Sequence, residues 1–134
     1  MSSSIFMITT TTNSVLPNGI IPLTSIARKK GCIISQGVNG VILTKPGYYK
    51  INATVTFTMP AAGEATVILT KNNVALPGIT ATTHISTATT ENATIALTGI
   101  VRVFCNEGQV VLSLLNTGLA ITEENVAFDV EYLG

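Results

Sequence analysis

Residues 47–59 read Gly47-Tyr48-Tyr49-Lys50-Ile51-Asn52-Ala53-Thr54-Val55-Thr56-Phe57-Thr58-Met59. Every second side chain from Tyr49 to Phe57 is apolar, and most of those between are polar or hydroxylated. Successive side chains of a β-strand point to opposite faces. Tyr49, Ile51, Ala53, Val55 and Phe57 therefore line one face, and Tyr48, Lys50, Asn52, Thr54, Thr56 and Thr58 the other. This is a strand with one side on a core.

The same period recurs downstream. In 92–105, Ala93, Ile95, Leu97, Val101 and Val103 oppose Thr94, Ala96, Thr98, Ile100, Arg102 and Phe104. In 109–116, Val110, Leu112 and Leu114 alternate with Val111, Ser113 and Leu115, and the end of the chain sets Val126, Phe128, Val130 and Tyr132 against Ala127, Asp129 and Glu131. Shorter strands are expected at Ser4–Thr10, Gly31–Ser35, Val41–Thr44, Ala65–Lys71 and Ala81–Ser86. Turn chemistry separates these runs at Pro17-Asn18-Gly19, Asn39-Gly40, Lys45-Pro46-Gly47, Pro60–Gly63, Lys71-Asn72-Asn73, Pro77-Gly78, Asn106-Glu107-Gly108 and Asn116-Thr117-Gly118. No segment carries helical spacing. An all-β antiparallel sandwich of roughly eight to ten strands follows, as one domain over 1–134.

With 134 residues and 46% hydrophobic content, the chain has material for one core. Charged residues make up 10%, against roughly 25% in ordinary soluble domains. Seven basic and seven acidic side chains balance, so no nucleic-acid partner is expected. No apolar run approaches the ~18 residues of a membrane span, and no membrane partner is expected. The first charged residue is Arg28, so the N-terminus lacks the basic start of a secretory signal, and none is expected.

Scarce charge matters most on the faces the alternation leaves outside. Thr54, Thr56, Thr58, Thr94, Ala96, Thr98 and Ile100 form a flat, small, uncharged surface where a monomer would carry Lys and Glu. Such a face is expected to be covered by copies of the same chain, in a closed ring. Residues 1–27 hold no charge and read either as an inner strand with a covered connection or as a segment that docks on another protein. The cluster Arg28-Lys29-Lys30 reads as a solvated loop, and 80–94 as an edge strand, a loop and the start of the next strand.

Catalytic and metal chemistry finds few residues. A Ser–His–Asp arrangement would need His84 and Asp129, the single His and the single Asp, and His84 sits in a Thr-rich run without a nucleophile elbow. Glu123 and Glu124 are adjacent and read as solvated loop residues, not as a carboxylate pair. Cys32 and Cys105 match no metal-ligand spacing and are expected to be buried thiols, with a disulfide open to them if their strands are neighbours. No catalytic residue, metal or cofactor is expected, and the chain reads as a non-enzyme.

The stretch Leu43–Ala53, an apolar strand, a Pro-Gly turn and then Gly-x-Tyr-x-apolar, resembles the tumour necrosis factor-like jelly rolls, which include the complement globular heads and the tip domains of bacterial spore-surface collagen-like proteins. The resemblance implies a two-sheet jelly roll, Gly47 at a turn and Tyr49 in the core. It also implies a homotrimer formed through one sheet, with Tyr48 toward the trimer side and Phe104 and Tyr132 as interface or core aromatics. Together with the uncharged face, it gives an expected interface of Tyr48, Thr54, Thr56, Thr58, Thr94, Ala96, Thr98, Ile100 and Phe104. A virion knob or decoration is the leading expectation, with a spore-surface or lectin-like module as the alternative, and residues 1–27 are the segment offered to neighbouring proteins.

Overall fold

The computed structural model describes residues 3–10, 14–88 and 91–134, and it is all-β. In chain order the strands are β1 (Ser4–Thr10), β2 (Gly19–Ile20), β3 (Ser25–Lys30), β4 (Ile34–Gly37), β5 (Gly40–Leu43), β6 (Gly47–Thr58), β7 (Gly63–Lys71), β8 (Val74–Ile85), β9 (Ala93–Val103), β10 (Val110–Asn116) and β11 (Thr122–Tyr132). One antiparallel sheet runs β3-β1-β11-β6-β9; the second runs β4-β5-β10-β7-β8, with β2 added to β10. This is a jelly-roll sandwich. No helix among the described residues is long and apolar enough to cross a membrane.

The alternating runs become the facing layers. Tyr49, Ile51, Val55, Phe57 and Phe128 are fully or almost fully buried between the sheets. The register aligns Ala53 with Phe128 on one side and with Leu97 on the other, so a small residue sits between two large ones. Asn72 and Asn73 join β7 to β8 with φ of 51° and 67°. Two positive φ values match a type I′ turn, whose twist suits a hairpin and which Asn tolerates. Asn72 Oδ1 also accepts the Val111 N–H at 2.8 Å, tying the turn to β10.

Several expectations are corrected. There are eleven strands among the described residues, because β2 is a two-residue addition and β3 is built from the Arg28-Lys29-Lys30 cluster. All six β3 residues are exposed, so no core face marked it, and its lysines decorate an outer strand where they discourage further pairing. Pro77-Gly78 is not a turn, since β8 runs through it. The ladder to β7 shifts between Ile68 and Thr70, where β8 carries three extra residues, Gly78 takes φ 84°, and an outer strand tolerates a proline that donates no N–H.

Residues 1–27 follow the inner-strand reading where they are described: β1 lies between β3 and β11, and the connection after it buries Val15, Ile21 and Leu23. Glu124 is not solvated. It lies within β11 at a register shift between Thr122 and Asn125, with its side chain fully buried.

Both cysteines are free and exposed, not buried. Cys32 follows β3 and Cys105 follows β9, the two outer strands of the same sheet, so the sheet's width separates them. Thiol titration in denaturant without reductant should find two thiols per chain; a count of zero would contradict this placement.

Candidate functional site

The sheet β3-β1-β11-β6-β9 buries one face against the core and leaves the other open. Cross-strand register arranges the open face in rows. One row runs Thr94, Thr56, Asn125 and Thr10 across β9, β6, β11 and β1; the next runs Ala96, Thr54, Ala127 and Ile8; a third runs Thr98, Asn52, Asp129, Phe6 and Arg28. A fourth holds Ile100, Lys50, Glu131, Ser4 and Lys30. Polar side chains in the first and third rows satisfy each other within the plane. Thr56 Oγ1 and Thr94 Oγ1 are 3.1 Å apart, and Thr98 Oγ1 donates to Asn52 Oδ1 at 2.9 Å. Their hydroxyls are therefore already partnered, which lowers the desolvation cost of covering this half of the face.

Of the residues expected at an interface, Thr54, Thr94, Ala96 and Thr98 are exposed, Thr56 is half-buried, and Ile100 is 61% exposed. Tyr48 also points outward from β6. Phe104 is exposed but lies one residue past β9. Its ring has the Arg102 guanidinium at 4.4 Å and Lys71 Nζ, from the second sheet, at 5.3 Å. Lys71 also donates to the Arg102 carbonyl and pairs with Glu107 at 2.9 Å, so Phe104 caps a corner where the sheets meet. The Phe104 N–H and Lys71 together hold the Glu107 carboxyl below its ordinary range.

Thr58 is corrected: it is buried, because it pairs with Thr122 at the start of β11, where the extra residue before Asn125 breaks the alternation.

Sequence reasoning missed the other half of this face. Phe6 and Ile8 are each about two-fifths exposed there, beside a shallow open depression of about 320 Å³ lined by Ser4, Phe6, Arg28, Asp129 and Glu131. The available signal was the unbroken run Ile5-Phe6-Met7-Ile8, apolar on both sides of a strand, which reads as covered on both faces. Partial burial, and then the neighbouring Glu131 charge, push the Asp129 carboxyl above its ordinary range, with Lys50 opposing.

The motif residues are explained by contacts. Gly47 has φ 143°, and a Cβ there would come within 2.7 Å of the Tyr132 ring, so glycine is required. Tyr132 packs on Tyr49 with ring centroids 5.1 Å apart, which puts it on the core side. His84 and Asp129 belong to different sheets and form no catalytic pair.

No family model matches the chain, and no curated protein matches it in sequence. Solved structures do match. The chain is similar to the PRD1 vertex protein P5 at 16% identity, over 98% of this chain and 97% of that one, with a TM-score of 0.65. The globular domain of zebrafish complement 1qA protein matches at 9% identity over 96% and 94%, with a TM-score of 0.67. Murine APRIL matches at 9% identity over 99% and 100%, with a TM-score of 0.68. Essentially the whole chain takes the tumour necrosis factor-like jelly-roll fold.

Proposed function

We propose that this chain is a non-enzymatic structural or adhesion module that works as a closed homotrimer, serving as a virion component such as a capsid decoration, head fibre or tail-tip knob. The observation that carries this reading is the open face of β6 and β9, where Thr54, Thr56, Thr94, Ala96 and Thr98 present small uncharged groups. A flat face of this kind lets sheets approach closely, and left in water it invites association. The likeness to a vertex protein supports the virion setting, and the resemblance noted at Leu43–Ala53 supports three copies.

The test is absolute mass by light scattering behind a sizing column. The expected result is about three chains, stable on dilution. Thr56→Lys and Thr98→Lys should each give monomers, because an ammonium buried in an apolar contact without a partner costs several kcal/mol. A wild-type monomer, or normal assembly of both variants, overturns the reading. Mass spectrometry of purified particles from the source should find the chain as a stoichiometric component if the virion setting is right.

A further inference from the structure

The charges of this chain are sorted along its strands. The connections β3–β4, β5–β6, β7–β8 and β9–β10 turn at one end of the sandwich, and β6–β7, β8–β9 and β10–β11 at the other. Lys71 of β7 donates to the Arg102 carbonyl of β9, so both sheets share the first end. All seven Lys and Arg lie in the half of the molecule toward it. Lys29 and Lys30 close β3, Lys45 sits in the β5–β6 turn, Lys71 ends β7, and Arg102 is the last residue but one of β9. The far end has no Lys or Arg. Its acids are Glu64, Glu91 and, near the start of β11, Glu123 and Glu124, and Leu16 and Leu119 are exposed there.

Three acids share the cationic half. Glu107 is taken by Lys71 at 2.9 Å, and Asp129 and Glu131 stand on the open face, where Arg28 and Lys50 are their neighbours. Lys29, Lys30, Lys45 and Arg102 are left without a carboxylate, since among the described residues the ion pair is Lys71–Glu107. Like charges gathered at one end repel each other and set up a field that draws an anionic partner and orients it. The company these cations keep says which kind. Phe104 and Leu133 are each about half exposed among them. Aromatic and apolar groups mixed with arginine are the composition of protein contacts, and a phosphate or sulfate chain would leave them wet. The neutral total points the same way, because nucleic-acid binding runs on a basic excess.

We propose that the end bearing Lys29, Lys30, Lys45, Arg102, Phe104 and Leu133 is a docking surface for an acidic protein. One copy carries the whole surface, so the contact does not depend on the ring. Its place on a particle rests on the virion reading above and adds an orientation: the cationic end lies against the shell, and the end with Leu16 and Leu119 points outward. Cyclic symmetry turns every copy the same way along its axis, so a ring would present all its cationic ends on one side and multiply the contact.

The test is fluorescence anisotropy with a labelled glutamate–tyrosine copolymer, an acidic polypeptide with aromatic groups, and with heparin and an oligo-dT strand for comparison. Wild type should bind the copolymer in about 50 mM salt and lose on the order of 10-fold in affinity by about 200 mM. The pairs K29Q/K45Q and L16E/A61E lower the net charge equally, at the cationic end and at the far end. The first should weaken binding on the order of 10-fold and the second by less than about twofold. Leu133→Ser should weaken the copolymer and leave heparin unchanged. Equal losses in the two charge pairs overturn the assignment, as does a wild type that binds nothing. Tighter binding of heparin or oligo-dT, with no effect of Leu133→Ser on the copolymer, makes the partner a sulfated or phosphorylated polymer and overturns it too. A mass that grows as salt is lowered, with no probe present, makes the acidic end of another copy the occupant, with the same consequence. A monomer that binds the copolymer keeps this surface and loses the ring; three chains that bind nothing do the reverse.

Discussion

Tyr49→Ala should destabilise the protein by about 3–5 kcal/mol, whereas the adjacent Tyr48→Ala should leave protomer stability within about 0.5 kcal/mol of wild type. The two residues differ only in the face they point to. Tyr49 is fully buried against Tyr132, and its hydroxyl donates to the Lys45 carbonyl, closing the turn that leads into β6. Truncating a buried aromatic to alanine costs about 3–5 kcal/mol through lost transfer energy and the cavity left behind. Domains of this size have roughly 5–15 kcal/mol in total. Tyr49→Phe keeps the ring and loses the hydrogen bond, so about 0.5–1.5 kcal/mol is expected. Urea unfolding at one fixed protein concentration measures all three, because assembly makes stability concentration-dependent. A Tyr49→Ala loss no larger than that of Tyr49→Phe would mean the ring is not in the core. Tyr48→Ala should act instead on assembly, since Tyr48 points outward on the face of β6 that the trimer reading covers.

That contrast also marks what could be read in advance. The alternation at 47–59 and 92–105 was legible because those strands have one wet face and one dry one, and composition records the difference. β3 was not legible because all of its residues are exposed, and a strand without a core face has no period. The slip at Thr122–Asn125 left no mark because a bulge shifts which residues oppose each other without changing which residues are present. Thr58 and Glu124 were misplaced for that one reason. Half of the candidate face was found from β6 and β9. The other half depends on Arg28, Phe6 and Asp129 lying side by side across three strands, and their separation in sequence hides that.

Glu124→Met is expected to stabilise the protein, by about 1–3 kcal/mol at neutral pH. The Glu124 side chain is fully buried, and among the described residues neither carboxylate oxygen has a hydrogen-bond partner. A buried group in that condition pays its desolvation cost without compensation, and a thioether of similar length does not. Burial pushes the Glu124 carboxyl above its ordinary range, which fixes the sign of a pH effect. Between the unfolded value, near about 4.3, and the raised folded value, the folded chain holds a proton that the unfolded chain has released. Stability must therefore fall as pH rises through that window, and it loses nothing on this account below it. Asp129 is raised as well and contributes the same slope, but it is present in both proteins and cancels in their difference. The advantage of Glu124→Met over wild type should thus be smallest near pH 4 and grow toward neutrality, as read from urea midpoints across that range. An advantage independent of pH would show that Glu124 ionises as freely folded as unfolded. A destabilised variant would show that the carboxylate has a partner within the assembly, and the β11 bulge would then be a place where neighbouring copies or other proteins reach into the sandwich.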